Sequence, residues 1–134
     1  MIQGLRTVVY CVKDLQKAKE WYSAVLGKKP YFDEPFYVGF NVGGFELALD
    51  PDMTGVKKGN NVVAFWGVKS ADSEYKRLLK LGAKAQKGVQ EVGGGIRVAT
   101  VTDPFGNAFG IIENPNFKFE ENQKKNDRDL PKRK

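Results

Sequence analysis

The sequence contains no histidine and a single cysteine, Cys11, among 134 residues. Without histidine, no imidazole can ligate a metal or act as a general base, and one cysteine cannot form a disulfide within the chain. No apolar run approaches the roughly 20 residues that span a bilayer. Residues 1–4 also lack the basic segment followed by an apolar stretch that marks a signal peptide. These absences predict a cytoplasmic protein that does not enter a membrane.

The formal net charge of +6 is unevenly distributed along the chain. Residues 116–134 hold seven basic and four acidic side chains, an excess of +3. The polar composition of residues 118–134 predicts a disordered basic tail, because it offers too little apolar surface to offset the entropy of ordering. A basic tail can bind nucleic acid or acidic partners. A solubilising terminus is the preferred interpretation, since residues 1–117 lack the Arg-rich helix of a nucleic-acid surface.

The chain repeats one pattern of apolar and polar residues. An apolar strand at residues 8–14 is echoed at 64–70, and each leads into a helical segment that ends in Leu-Gly. The predicted helices are 14–26 and 70–81, and the other predicted strands are 28–32, 36–42, 44–51, 83–89, 96–102 and 108–115.

This repetition predicts an α+β fold built from two tandem β-α-β-β-β modules. The modules are expected at about residues 1–51 and 61–117, joined by a turn-rich linker at 52–60. Each module has an apolar face that it cannot bury alone, so the two are expected to form a curved mixed sheet with a central cleft. Residues 1–117 are therefore expected to form one domain.

Three short motifs within this pattern resemble the glyoxalase/bleomycin-resistance/dioxygenase superfamily, also called the vicinal oxygen chelate proteins. They are Val12-Lys13-Asp14-Leu15, the helix end Trp21-Tyr22-Ser23-Ala24-Val25-Leu26-Gly27, and the turn Asp103-Pro104-Phe105-Gly106-Asn107. In that turn, proline fixes an early φ angle, and Gly106 and Asn107 are expected to supply positive φ angles. The resemblance covers about residues 1–117 and implies a glyoxalase-like fold.

The resemblance also implies a divalent metal held by four side chains, two from each module. The corresponding positions are Thr7, Glu46, Val63 and Gly110. Only Glu46 is a competent ligand, whereas a catalytic metal needs about three protein ligands. We therefore expect no metal and no cofactor, and metal-dependent lyase or dioxygenase activity is not expected.

Strand alternation predicts which side chains face the cleft, because residues two apart share a face. The opposite parity, which includes Trp66, is expected to pack under the helices. Cys11 lies on the strand face that is predicted to line the cleft. Because no histidine is present to activate it, we interpret it as an inert thiol. Six aromatic residues between Tyr31 and Phe45 predict that some line the cleft or a dimer interface. The predicted ligand-binding residues are Thr7, Val9, Glu46, Ala48, Val63, Phe65 and Gly110.

Glu46 has two interpretations that the sequence leaves open. It can contact a ligand or serve as a general base, which makes it the candidate catalytic residue. Alternatively, its carboxylate pairs with an arginine, for which Arg6 and Arg97 are the candidates. The sequence also does not decide on which face of the sheet Arg97 lies, because both faces of its strand carry apolar residues.

The leading hypothesis is a metal-independent small-molecule-binding protein that sequesters a drug or metabolite, on the pattern of the bleomycin-resistance branch. The resemblance implies a homodimer, because clefts of this family are often built across two chains. The sequence pI of about 9.4 favours a neutral or anionic ligand over a cationic one. One alternative is a glyoxalase-like lyase or isomerase with Glu46 as the general base. A second is an interaction module that acts through the basic tail.

Overall fold

The computed structural model of the protein describes residues 1–117, so the predicted tail lies outside the described residues. Each module contains one helix, which lies between the first and second strands of that module. The elements in chain order are β1 (Thr7–Cys11), α1 (Leu15–Leu26), β2 (Phe32–Glu34), β3 (Tyr37–Val42), β4 (Phe45–Asp50), β5 (Phe65–Gly67), α2 (Ala71–Lys80), β6 (Lys84–Glu91), β7 (Arg97–Thr102) and β8 (Ala108–Glu113).

Each module forms its own four-stranded mixed sheet. The first sheet has the strand order β1-β4-β3-β2, and the second has the equivalent order β5-β8-β7-β6. In both, the first strand pairs in parallel with the last, and the other pairings are antiparallel. The parallel registers place Thr7 opposite Glu46 and Phe65 opposite Gly110. This duplicated topology confirms the predicted α+β fold of two β-α-β-β-β modules.

Local sequence signals explain where the first helix begins and ends. The Asp14 side chain caps α1 by accepting a hydrogen bond from the Lys17 backbone N–H, and Gly27 ends the helix with a φ angle of 66°. Between these caps, Ala18, Tyr22 and Val25 form the buried stripe of the helix. The helix therefore covers one face of the first sheet.

The two modules pack together through the helix-covered side of their sheets. Tyr10 on β1 stacks on Tyr22 of α1 and contacts Phe109 of the second module. Trp66 packs against the same core and donates its indole N–H to the Tyr10 hydroxyl at 3.0 Å. Trp66 therefore has the structural position expected from its strand parity.

The face of each sheet away from its helix is called here the open face. Within residues 1–117, no strand of the first sheet pairs with a strand of the second. The two sheets meet through side chains of the core instead, so each open face is built from one module. No helix among the described residues is long and apolar enough to cross a membrane.

Several local expectations differ from the structure. The strands predicted at 8–14 and 64–70 end earlier, and the structure has them at Thr7–Cys11 and Phe65–Gly67. Strand β2 begins at Phe32 rather than at residue 28, because Pro30 has no N–H to donate and the first bond to β3 comes from the Tyr31 N–H to the Gly39 carbonyl. In the Asp103–Asn107 turn, Gly106 has a φ angle of 90°, whereas no residue other than glycine has a positive φ among those described. The expectation of a positive φ at Asn107 was wrong, since Gly106 is the residue of this turn that has a positive φ.

Candidate small-molecule site

Glu46 lies at the centre of a cluster of hydroxyl groups on the open face of the first sheet. The side chain is only 6% exposed. Its Oε1 atom accepts hydrogen bonds from the Thr7 hydroxyl at 2.6 Å and the Tyr37 hydroxyl at 2.9 Å. Its Oε2 atom accepts a hydrogen bond from the Tyr31 hydroxyl. These four residues, Thr7, Tyr31, Tyr37 and Glu46, form what we call the tyrosine–carboxylate cluster.

The sheet register and one glycine make this cluster possible. The parallel pairing of β1 with β4 sets Thr7 directly opposite Glu46, and Tyr37 approaches from the neighbouring strand β3. A Cβ atom on Gly39 would lie 2.6 Å from Glu46 Oε2 and 3.3 Å from the Tyr31 ring. Gly39 is therefore required as glycine here, because its missing side chain makes room for both groups.

The structure resolves the facing of Arg97, one of the two candidate arginine partners of Glu46. Arg97 pairs with Asp72 of α2 at 3.0 Å, which places it on the helix-covered side of the second sheet. The Arg6 guanidinium donates hydrogen bonds to the Leu5 carbonyl and the Gln3 side chain. The hydrogen bonds that build the cluster come from hydroxyl groups.

Burial and the hydrogen bond to Glu46 raise the pKa of Tyr37 above its ordinary value of 10.0. Burial is the larger cause, and the neighbouring carboxylate disfavours a second negative charge. Tyr37 therefore remains a neutral hydroxyl donor at physiological pH. The cluster as a whole presents one buried acid behind neutral aromatic side chains.

The second module has a pocket of about 370 Å³ on its own open face. Val63, Phe65 and Val98 provide apolar walls, and Lys87 provides one positive charge. Neutral polar groups surround them, from Asn60, Asn61, Gln86, Gln90 and Thr100. The lining therefore combines apolar walls with a larger number of polar groups, which can orient a small molecule by hydrogen bonds.

The four positions that would hold the family's metal do not fit a metal site. A Cβ atom on Gly110 would lie 2.7 Å from the Phe65 ring, 2.8 Å from the Ala64 carbonyl and 2.9 Å from Val63. The space for a ligand side chain is thus already filled. No group of three or more Cys, Asp or Glu side chains able to hold a metal occurs in residues 1–117. Glu46 remains a single carboxylate, bonded to hydroxyl groups.

The predicted ligand-binding residues divide between the two open faces. Thr7, Val9, Glu46 and Ala48 belong to the first sheet, Phe65 and Gly110 belong to the second, and Val63 lies just before β5. Of these, Val9 and Phe65 are about half exposed, at 45% and 46%, whereas Ala48 is fully buried. The pocket is lined by second-module residues, so the two sets are not brought together there.

Sequence reasoning missed several residues that now define the two faces. Tyr31 and Tyr37 belong to the aromatic group that was expected to contribute to the cleft, but nothing in the sequence paired them with Glu46. Phe40 of the same group is fully buried in the core instead. Gln86, Lys87 and Gln90 lie on β6, whose register with β7 is irregular. Strand alternation therefore could not predict which of them face the pocket.

Comparison with known proteins identifies the fold. The family model for the Glyoxalase/Bleomycin resistance protein/Dioxygenase superfamily matches residues 4–111. A glyoxalase-related enzyme from Fulvimarina pelagi is 20% identical with a TM-score of 0.71, over 90% of this chain and 94% of that chain. The fosfomycin resistance protein FosX from Listeria monocytogenes is 20% identical with a TM-score of 0.70, over 87% and 97%.

A third solved structure is a glyoxalase/bleomycin resistance protein/dioxygenase family enzyme from Burkholderia phytofirmans PsJN. It is 18% identical with a TM-score of 0.70, and the alignment covers 83% of this chain and 98% of that chain. No curated protein matches the sequence. At these identities the solved structures establish the fold alone, whereas the family match spans most of the chain. The protein belongs to the glyoxalase/bleomycin resistance protein/dioxygenase superfamily.

Proposed function

We propose that this protein binds a small organic molecule without a metal, as a homodimer in the cytoplasm, and sequesters a drug or metabolite. The ligand is neutral or anionic. The fold belongs to a superfamily whose members include resistance proteins and enzymes. This chain differs from the metal-dependent members in the side chains at the positions where they hold a metal.

The filled space at Gly110 is the observation that carries the proposal. Val63 and Phe65 occupy the volume that a ligating side chain would need, and both also line the pocket of the second module. The side chains that leave no room for a ligating group at Gly110 are therefore also part of the apolar wall of the pocket. Such a wall favours an organic ligand, because burying apolar surface is the main driving force for binding in a pocket of this kind.

The charge of the pocket supports a neutral or anionic ligand. Lys87 is the charged residue among those that line it, and the other polar groups are amides and a hydroxyl. Amides can donate and accept hydrogen bonds, so they suit neutral ligands, while the ammonium group of Lys87 favours an anionic group. A cationic ligand would meet repulsion at this face.

A homodimer is supported by exposed apolar residues on the edge strands. Val9 on β1 and Phe65 on β5 are about half exposed, and each strand lies at an edge of its sheet. A second copy can cover these residues and place the open face of one module against that of the other. The dimer thereby forms a cleft from two faces that lie apart in one chain.

A thermal-shift screen with and without divalent metals tests this function. We expect neutral or anionic organic compounds to raise the unfolding temperature, and Mn²⁺, Ni²⁺ and Zn²⁺ to leave it unchanged. A Gln90→Ala variant should weaken the stabilisation by the compounds, whereas Gln16→Ala, on an exposed site of α1, should not. Stabilisation by a metal at stoichiometric concentration, with none by organic compounds, would contradict the proposal.

A lyase or isomerase that uses Glu46 as general base is the second candidate function. The buried position of Glu46 on the open face favours it. However, both carboxylate oxygens already accept hydrogen bonds from the protein. Proton abstraction would require one of these bonds to break. If the purified protein transforms a bound compound, Glu46→Gln should abolish turnover and preserve folding; unchanged turnover would exclude this role.

A further inference from the structure

We propose that Tyr31 and Tyr37, oriented by Glu46, form a hydrogen-bond-accepting subsite that recognises an O–H or N–H group on a ring-bearing ligand. This inference rests on the proposed function and specifies one end of the ligand. Glu46 acts here as a positioning residue, since it works through the two tyrosines.

The first step is the direction of the hydrogen bonds within the cluster. Both phenol groups donate their hydrogens to the Glu46 side-chain oxygens. The Thr7 hydroxyl adds a third donor to the same carboxylate. A phenol oxygen held in this way can offer a ligand an acceptor but not a hydrogen.

The second step is the exposure of the aromatic side chains in and beside the cluster. Tyr31 and Phe32 are 42% and 36% exposed, and the Phe32 and Tyr37 rings lie 6.0 Å apart in an edge-to-face arrangement. Aromatic faces next to an acceptor favour a flat apolar ligand with a donor group at its edge. The raised pKa of Tyr37 keeps its hydroxyl neutral, in agreement with this use.

The third step is the charge at each end of the site. The negative charge of Glu46 disfavours an anionic group beside the two tyrosines. Lys87 in the second-module pocket accommodates an anionic or neutral acceptor group. A ligand that spans the proposed dimer cleft therefore carries its O–H or N–H donor at the tyrosine end and any anionic group at the opposite end.

Two matched probes test the subsite on the full-length protein: 4-methylphenol, which has an O–H donor, and 4-methylanisole, which does not. Both are titrated at neutral pH and followed by amide chemical shifts in NMR spectra. The Gly39 amide reports on the tyrosine–carboxylate cluster, and the Gln90 amide reports on the second-module pocket. We expect 4-methylphenol to bind about fivefold more tightly at the Gly39 signal, the range of one net hydrogen bond.

Variants identify the origin of that preference. In Glu46→Gln, the new amide N–H donates to one phenol oxygen and turns that phenol hydrogen outward, so the preference should fall to about twofold or less. Tyr31→Phe, at a partly exposed position, should also reduce it and does not depend on the folding of the Glu46 variant. Tyr75→Phe on α2 is the matched control and should keep the preference of the wild type.

The possible failures are distinguishable. Equal affinity of the two probes at Gly39, or a preference that survives both Glu46→Gln and Tyr31→Phe, would overturn the subsite. Probe-induced shifts confined to Gln90 would also overturn it, while leaving small-molecule binding intact. If neither probe shifts any signal, both the subsite and the proposed binding function fail.

Discussion

The Tyr22 hydroxyl on α1 donates a hydrogen bond of 2.5 Å to the Asp103 carboxylate at the start of the second module's turn. Asp103 is 2% exposed and also accepts bonds from the backbone N–H groups of Phe105 and Asn107 and from the Asn107 side chain. One buried carboxylate thereby fixes the turn and joins the two modules. A buried charge is tolerated because several donors satisfy it.

Removing either member of this pair should destabilise the protein by different amounts. Asp103→Ala removes the acceptor of four hydrogen bonds, so we expect it to lower the free energy of unfolding by about 3 kcal/mol or more. Tyr22→Phe removes one bond to a charged group and should cost about 2 kcal/mol. Urea unfolding of both variants measures these values. Losses below about 0.5 kcal/mol would show that the pair does not hold the modules together.

Alkaline pH should destabilise the fold through its buried tyrosines. Burial raises the pKa of Tyr10 to about 12, and burial together with Asp103 raises the pKa of Tyr22 well above its ordinary value. The folded state therefore retains protons that the unfolded state releases above pH 10. Stability is unaffected by these groups below pH 10 and falls from pH 10 to about 12, by about 3 kcal/mol for Tyr10 alone.

Ultraviolet titration of the five tyrosines checks this directly. We expect the Tyr10 signal to appear only near pH 12, and the Tyr22 signal to appear only well above pH 10 or with unfolding. In Tyr10→Phe, the decline of stability between pH 10 and 12 should be less steep. Complete titration of every tyrosine near pH 10 in the folded protein would contradict the packing described for this core.

Two glycines on paired strands provide a matched test of the filled metal position. A Cβ atom on Gly110 would overlap Phe65, Val63 and the Ala64 carbonyl, whereas one on Gly67 would meet no atom within 4 Å. Gly110→Ala should therefore cost about 1–3 kcal/mol by overpacking. Gly67→Ala should change the free energy of unfolding by less than about 0.5 kcal/mol. Equal effects in thermal unfolding would mean that the space at Gly110 is open.

If β1 lies in the dimer interface, a new charge on β1 should weaken the dimer, whereas a new charge elsewhere on the surface should not. Val9→Asp places a carboxylate on the exposed apolar edge strand β1, so we expect the dimer dissociation constant to rise at least about tenfold. Val92→Asp is the control, because Val92 is 58% exposed at the turn between β6 and β7. Sedimentation velocity measures both. A wild-type monomer, or an equal loss of dimer in both variants, would exclude β1 from the interface.

The duplicated fold could be predicted because its signals are local and occur twice. Helix caps at Asp14 and Ser70, with strand patterns in equivalent places, indicate the same order of elements in each half. The predicted helices agree with the structure within one residue at each end. Strand ends were less predictable: of the strand predicted at 64–70, only Phe65–Gly67 pairs with β8.

The tyrosine–carboxylate cluster could not be predicted, because it depends on contacts between distant positions. Tyr31 lies 15 residues before Glu46, and Thr7 lies 39 residues before it. Their approach depends on the register of three strands and on the missing side chain of Gly39. Periodicity indicates which face a residue occupies, but it does not predict which polar groups meet there.

Native mass spectrometry of the protein as purified, with no added metal, tests the central claim most directly. We expect a metal-free homodimer, and a co-purified organic mass lost in the Gln90→Ala variant would identify the ligand. A stoichiometric divalent metal on the protein would contradict the account, because it would mean that residues other than the four family positions build a metal site.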